Sequence, residues 1–194
     1  MANRKAASRH FFAILPIRLQ SIGGPIRRTY VTIMSQPIFH APGHDHQRCT
    51  AEALAHAQAL CAERSQRLTP IRRRVLELLL GSHKPLGAYE IMDRAAESGV
   101  RPAPITIYRA LDFLRDNGLV HRIESRNAFV ACVNNHESGE LVVFLICEHC
   151  GAVGEAPSAA VAGQLKAAAQ SAGFTPKAPV IEISGICAHC RDAA

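Results

Sequence analysis

Two short cysteine pairs constrain this chain more than anything else in it: Cys147-Glu148-His149-Cys150 and Cys187-Ala188-His189-Cys190. A Cys-x-x-Cys turn holds two thiolates about 3.5–4 Å apart, the edge of a Zn–S tetrahedron with bonds of about 2.3 Å. Two such turns supply four ligands, enough to close a tetrahedral site. The 36 residues between the pairs exceed what a compact ribbon uses, so they must hold a folded unit that returns the second pair to the first. A redox dithiol on one pair, or disulfides, would use the same residues. Two pairs in a chain without a usable secretory signal favour metal. A structural Zn²⁺ can add on the order of 10 kcal/mol to folding, enough to decide whether a small domain exists.

At 194 residues the chain has room for one large or two small domains. It has no run of 18 apolar residues, so no span of a membrane is expected. The net charge of +6 is unevenly spread. Residues 1–34 carry six basic and no acidic side chains, and 35–47 only Asp45. Residues 48–126 carry thirteen basic and nine acidic, and 127–194 three basic and six acidic. A basic middle followed by an acidic end suits a nucleic-acid module joined to something else; an uneven solvated surface is the plainer alternative.

The first 34 residues differ from the rest. Their apolar run at 11–17 is broken by Pro16 and ended by Arg18, too short for a signal peptide. Residues 1–47 are therefore expected to be a disordered or mis-annotated extension, with Met34 as an alternative start. The tract holding His40, His44 and His46 has a composition that binds metal in other settings, and is expected here to be unliganded. Cys49 and Cys61 have no nearby partner and read as buried or idle thiols.

From there the pattern is helical. Residues 49–64 place Leu54, Ala57 and Cys61 on one face. Thr69-Pro70 marks the next start, with Thr69 as cap, and the stripe is Ile71, Val75, Leu78 and Leu79. Arg72, Arg73 and Arg74 open this helix, either as a solvated face or for phosphate. A third helix over 88–97 turns Ile91, Met92 and Ala95 inward and ends near Gly99. A fourth over 105–116 buries Ile107, Ala110, Leu111 and Leu114. Thr106, Tyr108, Arg109, Asp112 and Arg115 lie off that stripe. Strands over 119–124 and 128–133 then form a hairpin around Ser125-Arg126-Asn127.

Three helices and a hairpin in this order make a winged helix-turn-helix, whose last helix enters the major groove. Arg109 suits guanine, and Tyr108 a phosphate or a thymine methyl. A winged helix used for protein contact is the alternative. Beyond it, strands over 141–146, 152–155 and 180–186 with a helix over 157–172 form a small α/β unit. Its core is slight, so pairing with a second copy would stabilise it. The expected fold is α+β: a winged-helix DNA-binding domain at 48–133 and a zinc-binding dimerisation domain at 134–194. Four more ligand-type residues stand around the junction: His121, Cys132, His136 and Glu155. Zinc accepts such a mixed set, though each residue alone is more often a surface or core side chain.

The runs from Ile105 to Leu114, from Gly118 to Ser125, and from Phe144 to Gly151 resemble the ferric uptake regulator family, most of all its zinc-uptake-regulator branch. The resemblance spans about residues 49–190. It implies a cytoplasmic homodimer that binds an operator in double-stranded DNA and represses zinc-uptake genes, with zinc as corepressor and no enzymatic activity. It also implies two zinc ions per monomer. Cys147, Cys150, Cys187 and Cys190 would hold the structural ion, and His121, Cys132, His136 and Glu155 the regulatory one. Thr106, Tyr108 and Arg109 would meet DNA. The stretch Gly139–Phe144 lacks the histidines that the iron and peroxide branches carry before the first cysteine pair. A sensor of another divalent metal or of peroxide, and a thiol redox protein, are the competing functions.

Overall fold

The computed structural model describes residues 38–39, 46–97, 99, 101–132, 141–156, 158–177 and 179–193. Of the expected extension 1–47, residues 1–37 and 40–45 lie outside them, His40 and His44 included, as does His136. The described residues after the extension fall within one compact unit, 36–194, which contains two apolar cores.

The first core is helical. α1 spans His46–Glu63, α2 Pro70–Leu80, α3 Ala88–Ala96 and α4 Pro104–Asp116. α1 thus begins two residues before the expected domain boundary, and the side chains of α1 that go inward are Leu54, Ala57 and Cys61. α2 buries Val75, Leu76, Leu79 and Leu80, while Ile71 and Leu78 are only half-buried at its edge. The stripe is shifted by one position from the sequence reading, because α1, α3 and α4 all lean on α2 and widen its buried arc. Thr69 starts α2 without a side-chain cap. Pro70 has no N–H to satisfy, and the Thr69 carbonyl accepts from Arg73 N at 2.9 Å, so the proline's fixed φ sets the start. Ile91, Met92 and Ala95 of α3 and Ile107, Ala110, Leu111 and Leu114 of α4 are buried as their spacing requires.

Leu111 is 1 % exposed and sits among the side chains of this core. Leu111→Ala is expected to cost about 3 kcal/mol, from lost transfer energy plus the cavity left behind. A denaturant titration followed by far-ultraviolet dichroism measures it as a lowered midpoint with an unchanged slope.

The wing follows α4. Gly118 turns the chain at φ +71, where a glycine costs least. β1 (Val120–Ile123) then pairs antiparallel with β2 (Ala128–Ala131). Both strands are shorter than expected. A 3₁₀ turn at Glu124–Arg126 and Asn127 at φ +46 join them. Leu86 adds a short bridge, exchanging two backbone hydrogen bonds of 2.9 Å with Phe129.

All four residues of β2 are buried, because the wing lies between the two cores. Val120, Phe129 and Ala131 pack on the helices. Ile123 and Val130, on the opposite face, pack on Val142, Phe144, Ile146 and Val153. Those residues come from a three-stranded sheet in the order β4-β3-β5. β3 is Val142–Cys147 and β4 is Val153–Ala156, antiparallel to it. α5 (Ala159–Ser171) crosses over to β5 (Val180–Gly185), which runs parallel to β3. A short α6 (Ala188–Asp192) ends the described chain.

Candidate metal centres and nucleic-acid face

The parallel register explains how the cysteine pairs meet. Cys147 at the end of β3 stands beside Gly185 at the end of β5, so both strands deliver a pair at the same end of the sheet. The first pair is a turn: Gly151 N donates to the Cys147 carbonyl, with Gly151 at φ +75. The second opens α6, with Cys187 as its N-cap and Cys190 inside it. Glu148 N donates to the Gly185 carbonyl at 2.9 Å and ties the two turns together.

The four sulfurs lie within 4.8 Å of one another, and Cys150 Sγ is 3.9 Å from Cys187 Sγ. A tetrahedron with Zn–S bonds of about 2.3 Å has edges of about 3.8 Å, so the set fits a zinc ion. The electrostatics agree. The Cys150 backbone N–H, with that of Cys187, pulls the Cys147 thiol down to about 6. Desolvation, together with the neighbouring thiols of Cys187, Cys150 and Cys147, pushes Cys190 up to about 12. The backbone amides thus favour a thiolate at Cys147, while burial and the neighbouring thiols disfavour one at Cys190. Cys61 lies apart in the helical core, where burial raises its thiol, as expected of an idle cysteine.

The second cluster joins the two cores. His121 is the second residue of β1 and pairs with Val130, which puts Cys132 on the same face two residues on. Cys132 lies just past the end of β2, its N–H bound to the Leu119 carbonyl at 2.9 Å. Glu155 projects from β4 of the sheet. Ligand atoms of these three residues lie within 4.8 Å of one another, with His121 Nε2 3.4 Å from Glu155 Oε1. Phe144 meets the His121 ring edge-on, with centroids 5.2 Å apart. An imidazole, a thiol and a carboxylate are three ligands acceptable to zinc, one short of a tetrahedron. The fourth expected ligand, His136, lies outside the described residues.

The first turns of α4 carry the expected nucleic-acid face. Ala103 is extended and Pro104 fixes the first helical turn. Ile107 and Ala110 then point to the core, leaving Tyr108 and Arg109 exposed and Thr106 half-buried. The arginines of α2 are engaged within the molecule. Arg72 lies over the Phe113 ring at 3.5 Å and donates to the Arg67 carbonyl. Arg73 and Arg74 both reach Glu77, at 2.8 and 3.9 Å. Sequence reasoning misses Glu182, a lone glutamate in a strand with no spacing signal, although it contacts the wing.

The ferric uptake regulator family model matches residues 63–184. The zinc uptake regulation protein of Escherichia coli K12 is 39 % identical over 141 residues, which cover 73 % of this chain and 82 % of that one. This chain belongs to the ferric uptake regulator family. Two solved structures of family members superpose on it. A zinc uptake regulator complexed with zinc and DNA is 38 % identical, with a TM-score of 0.69 over 74 % of this chain and 96 % of that one. Holo XcZur is 45 % identical, with a TM-score of 0.67 over 74 % and 99 %. The winged-helix plus sheet architecture expected from the sequence is thus the family's fold. Among the described residues, no helix is long and apolar enough to cross a membrane.

Proposed function

We propose that this member of the family is a zinc-responsive repressor of zinc-uptake genes, with zinc as corepressor and no catalytic role. It would act in the cytoplasm as a homodimer on an operator in double-stranded DNA. The observation that carries this reading is the cluster of His121, Cys132 and Glu155, because it draws ligands from both cores. Cys147, Cys150, Cys187 and Cys190 would hold one zinc per monomer as a structural clasp. His121, Cys132 and Glu155, with His136, would hold a second. Zinc bound by the second set supplies a cross-link between wing and sheet. Binding there favours the DNA-competent arrangement only through its higher affinity for that arrangement.

The boundaries proposed for the two domains are those of the sequence reading, 48–133 and 134–194, with the wing as their interface. Dimerisation is supported by the sheet. β5 is one of its edge strands; Val180 and Ile183 on it and Ile186 just past its end are exposed, as are Phe174 and, on α5, Val161. An exposed apolar edge strand is a pairing surface. Two copies joined through their sheets would set two recognition helices about 34 Å apart, one turn of B-DNA.

The test is a gel-shift titration of the full chain on a duplex selected from random sequence in the presence of zinc. Binding is expected with zinc and not with chelator, and neither iron(II), manganese(II) nor peroxide treatment should substitute for zinc. Binding that survives chelation, or that follows another metal, sinks the zinc reading. Disulfide turnover by the metal-free chain would favour the redox alternative. Arg109→Ala is expected to lose about 1–3 kcal/mol of discrimination at one base-pair position. Comparing affinities on the selected duplex and on single-position variants measures that loss.

A further inference from the structure

The register of the sheet aligns two carboxylates on either side of one phenylalanine. Phe144 of β3 pairs with Glu155 of β4 on one side and with Glu182 of β5 on the other. Residues paired across strands share a face, so Glu155, Phe144 and Glu182 form one row. That face looks toward the wing, since Phe144 meets the His121 ring. The row grips strand β1 at both ends. Glu155 stands 3.4 Å from His121, near the strand's start. Glu182 takes the strand's far end: its Oε1 accepts from Glu124 N at 2.6 Å and its Oε2 from Ser125 N at 3.1 Å.

The two grips differ in kind. The one at Glu155 belongs to the ligand cluster. The one at Glu182 is made of protein alone: a single carboxylate accepts the first two amides of the 3₁₀ turn Glu124–Arg126. Charge-assisted bonds to paired amides are among the stronger hydrogen bonds a protein makes. Burial works against the Glu182 carboxylate, yet the Ser125 hydroxyl and the amides of Glu124 and Ser125 outweigh it and hold the group below its ordinary value.

We infer that Glu182 is the metal-independent pivot of the wing: it fixes the far end of β1 to the sheet, so that ligand binding by His121, Cys132 and Glu155 closes the near end on a hinge already held. This rests on the proposed reading of that cluster as the regulatory site. Without the pivot, closing the near end would also have to order the far one. Metal affinity at the wing cluster and DNA affinity would then fall together. Glu182 is a positioning residue in this account and touches neither metal nor DNA.

The experiment compares wild-type full-length chain with Glu182→Ala and Glu182→Gln by three readouts: thermal unfolding, hydrogen exchange at the Glu124 and Ser125 amides after the wing site is stripped with mild chelator, and zinc and DNA titrations. Slow exchange of both amides is expected in the stripped wild type and is lost in Glu182→Ala. Glu182→Ala should also bind zinc at the wing site, and the selected duplex, roughly tenfold more weakly. Glu182→Gln keeps one acceptor and should fall between. Freely exchanging amides in stripped wild type overturn the pivot, as does a Glu182→Ala chain that binds zinc and DNA like wild type. If Glu182→Ala does not fold, Glu182→Gln decides, and its matching wild type overturns the inference. Wild type that binds DNA without regard to zinc overturns the regulatory reading and the pivot's role with it, whereas zinc-dependent wild type with an indifferent Glu182 overturns the pivot alone.

Discussion

Cys147→Ser is expected to melt the three-stranded sheet and leave the helical core standing. Cys147 is the buried end of β3, and it lies where the two cysteine pairs meet. The Cys187 N–H points at its sulfur from 3.4 Å, so the site is built around a thiolate at this position. A serine hydroxyl keeps its proton at neutral pH and is a poor zinc ligand. A structural zinc contributes about 10–16 kcal/mol in small zinc domains, so even partial loss of affinity exceeds what this sheet can spare. Among the described residues the sheet's core cluster is six buried side chains, two of which, Ile123 and Val130, belong to the wing. The helices have a far larger core that needs no residue beyond Ala131. The expected result is therefore a chain with near-normal helical dichroism, no tightly held zinc, no dimer, and rapid proteolysis beyond residue 132. A Cys147→Ser chain that keeps its zinc and its sheet would show that the four cysteines do not form a clasp.

The second large effect is functional. Cys132→Ser is expected to leave the fold, the dimer and the first zinc in place while abolishing zinc-dependent DNA binding. Cys132 is half-buried at the end of a strand, and its backbone bond to Leu119 does not depend on the side chain. Serine is nearly isosteric there, so little stability is lost. The proposed wing site, however, keeps only His121 and Glu155 among its described ligands. If zinc couples to DNA binding by about 1–3 kcal/mol, as in ordinary allosteric switches, its loss lowers affinity at saturating zinc by about 5- to 150-fold. Fluorescence anisotropy on the selected duplex, with and without zinc, measures this directly. Unfolding of Cys132→Ser would instead make the wing cluster a structural site.

The parts of this molecule that the sequence made legible are those governed by local periodicity. The stripes of α3 and α4 follow from spacing alone, because Ile91 and Ile107 recur with partners at helical intervals. The cysteine pairs were legible for the same reason, since two ligands three residues apart are a local geometry. What spacing does not encode is how distant strands align. Cys147 meets the second pair through a parallel register set by the crossover α5, and Glu182 reaches Glu124 across 58 positions of sequence. The wing is the sharpest case. Its residues read as a hairpin and no more, whereas Val130 and Phe129 point to two different cores, so β2 is buried on both sides. His121 and Glu155 were recognisable as ligand types, but only the packing of the wing on the sheet brings them together.

The most direct test of the account is zinc per monomer by elemental analysis, before and after mild chelation, with dimer state and DNA binding measured at each stage. The account predicts two zinc ions falling to one as DNA binding is lost and the dimer persists. One zinc throughout, with DNA binding unchanged, would contradict it.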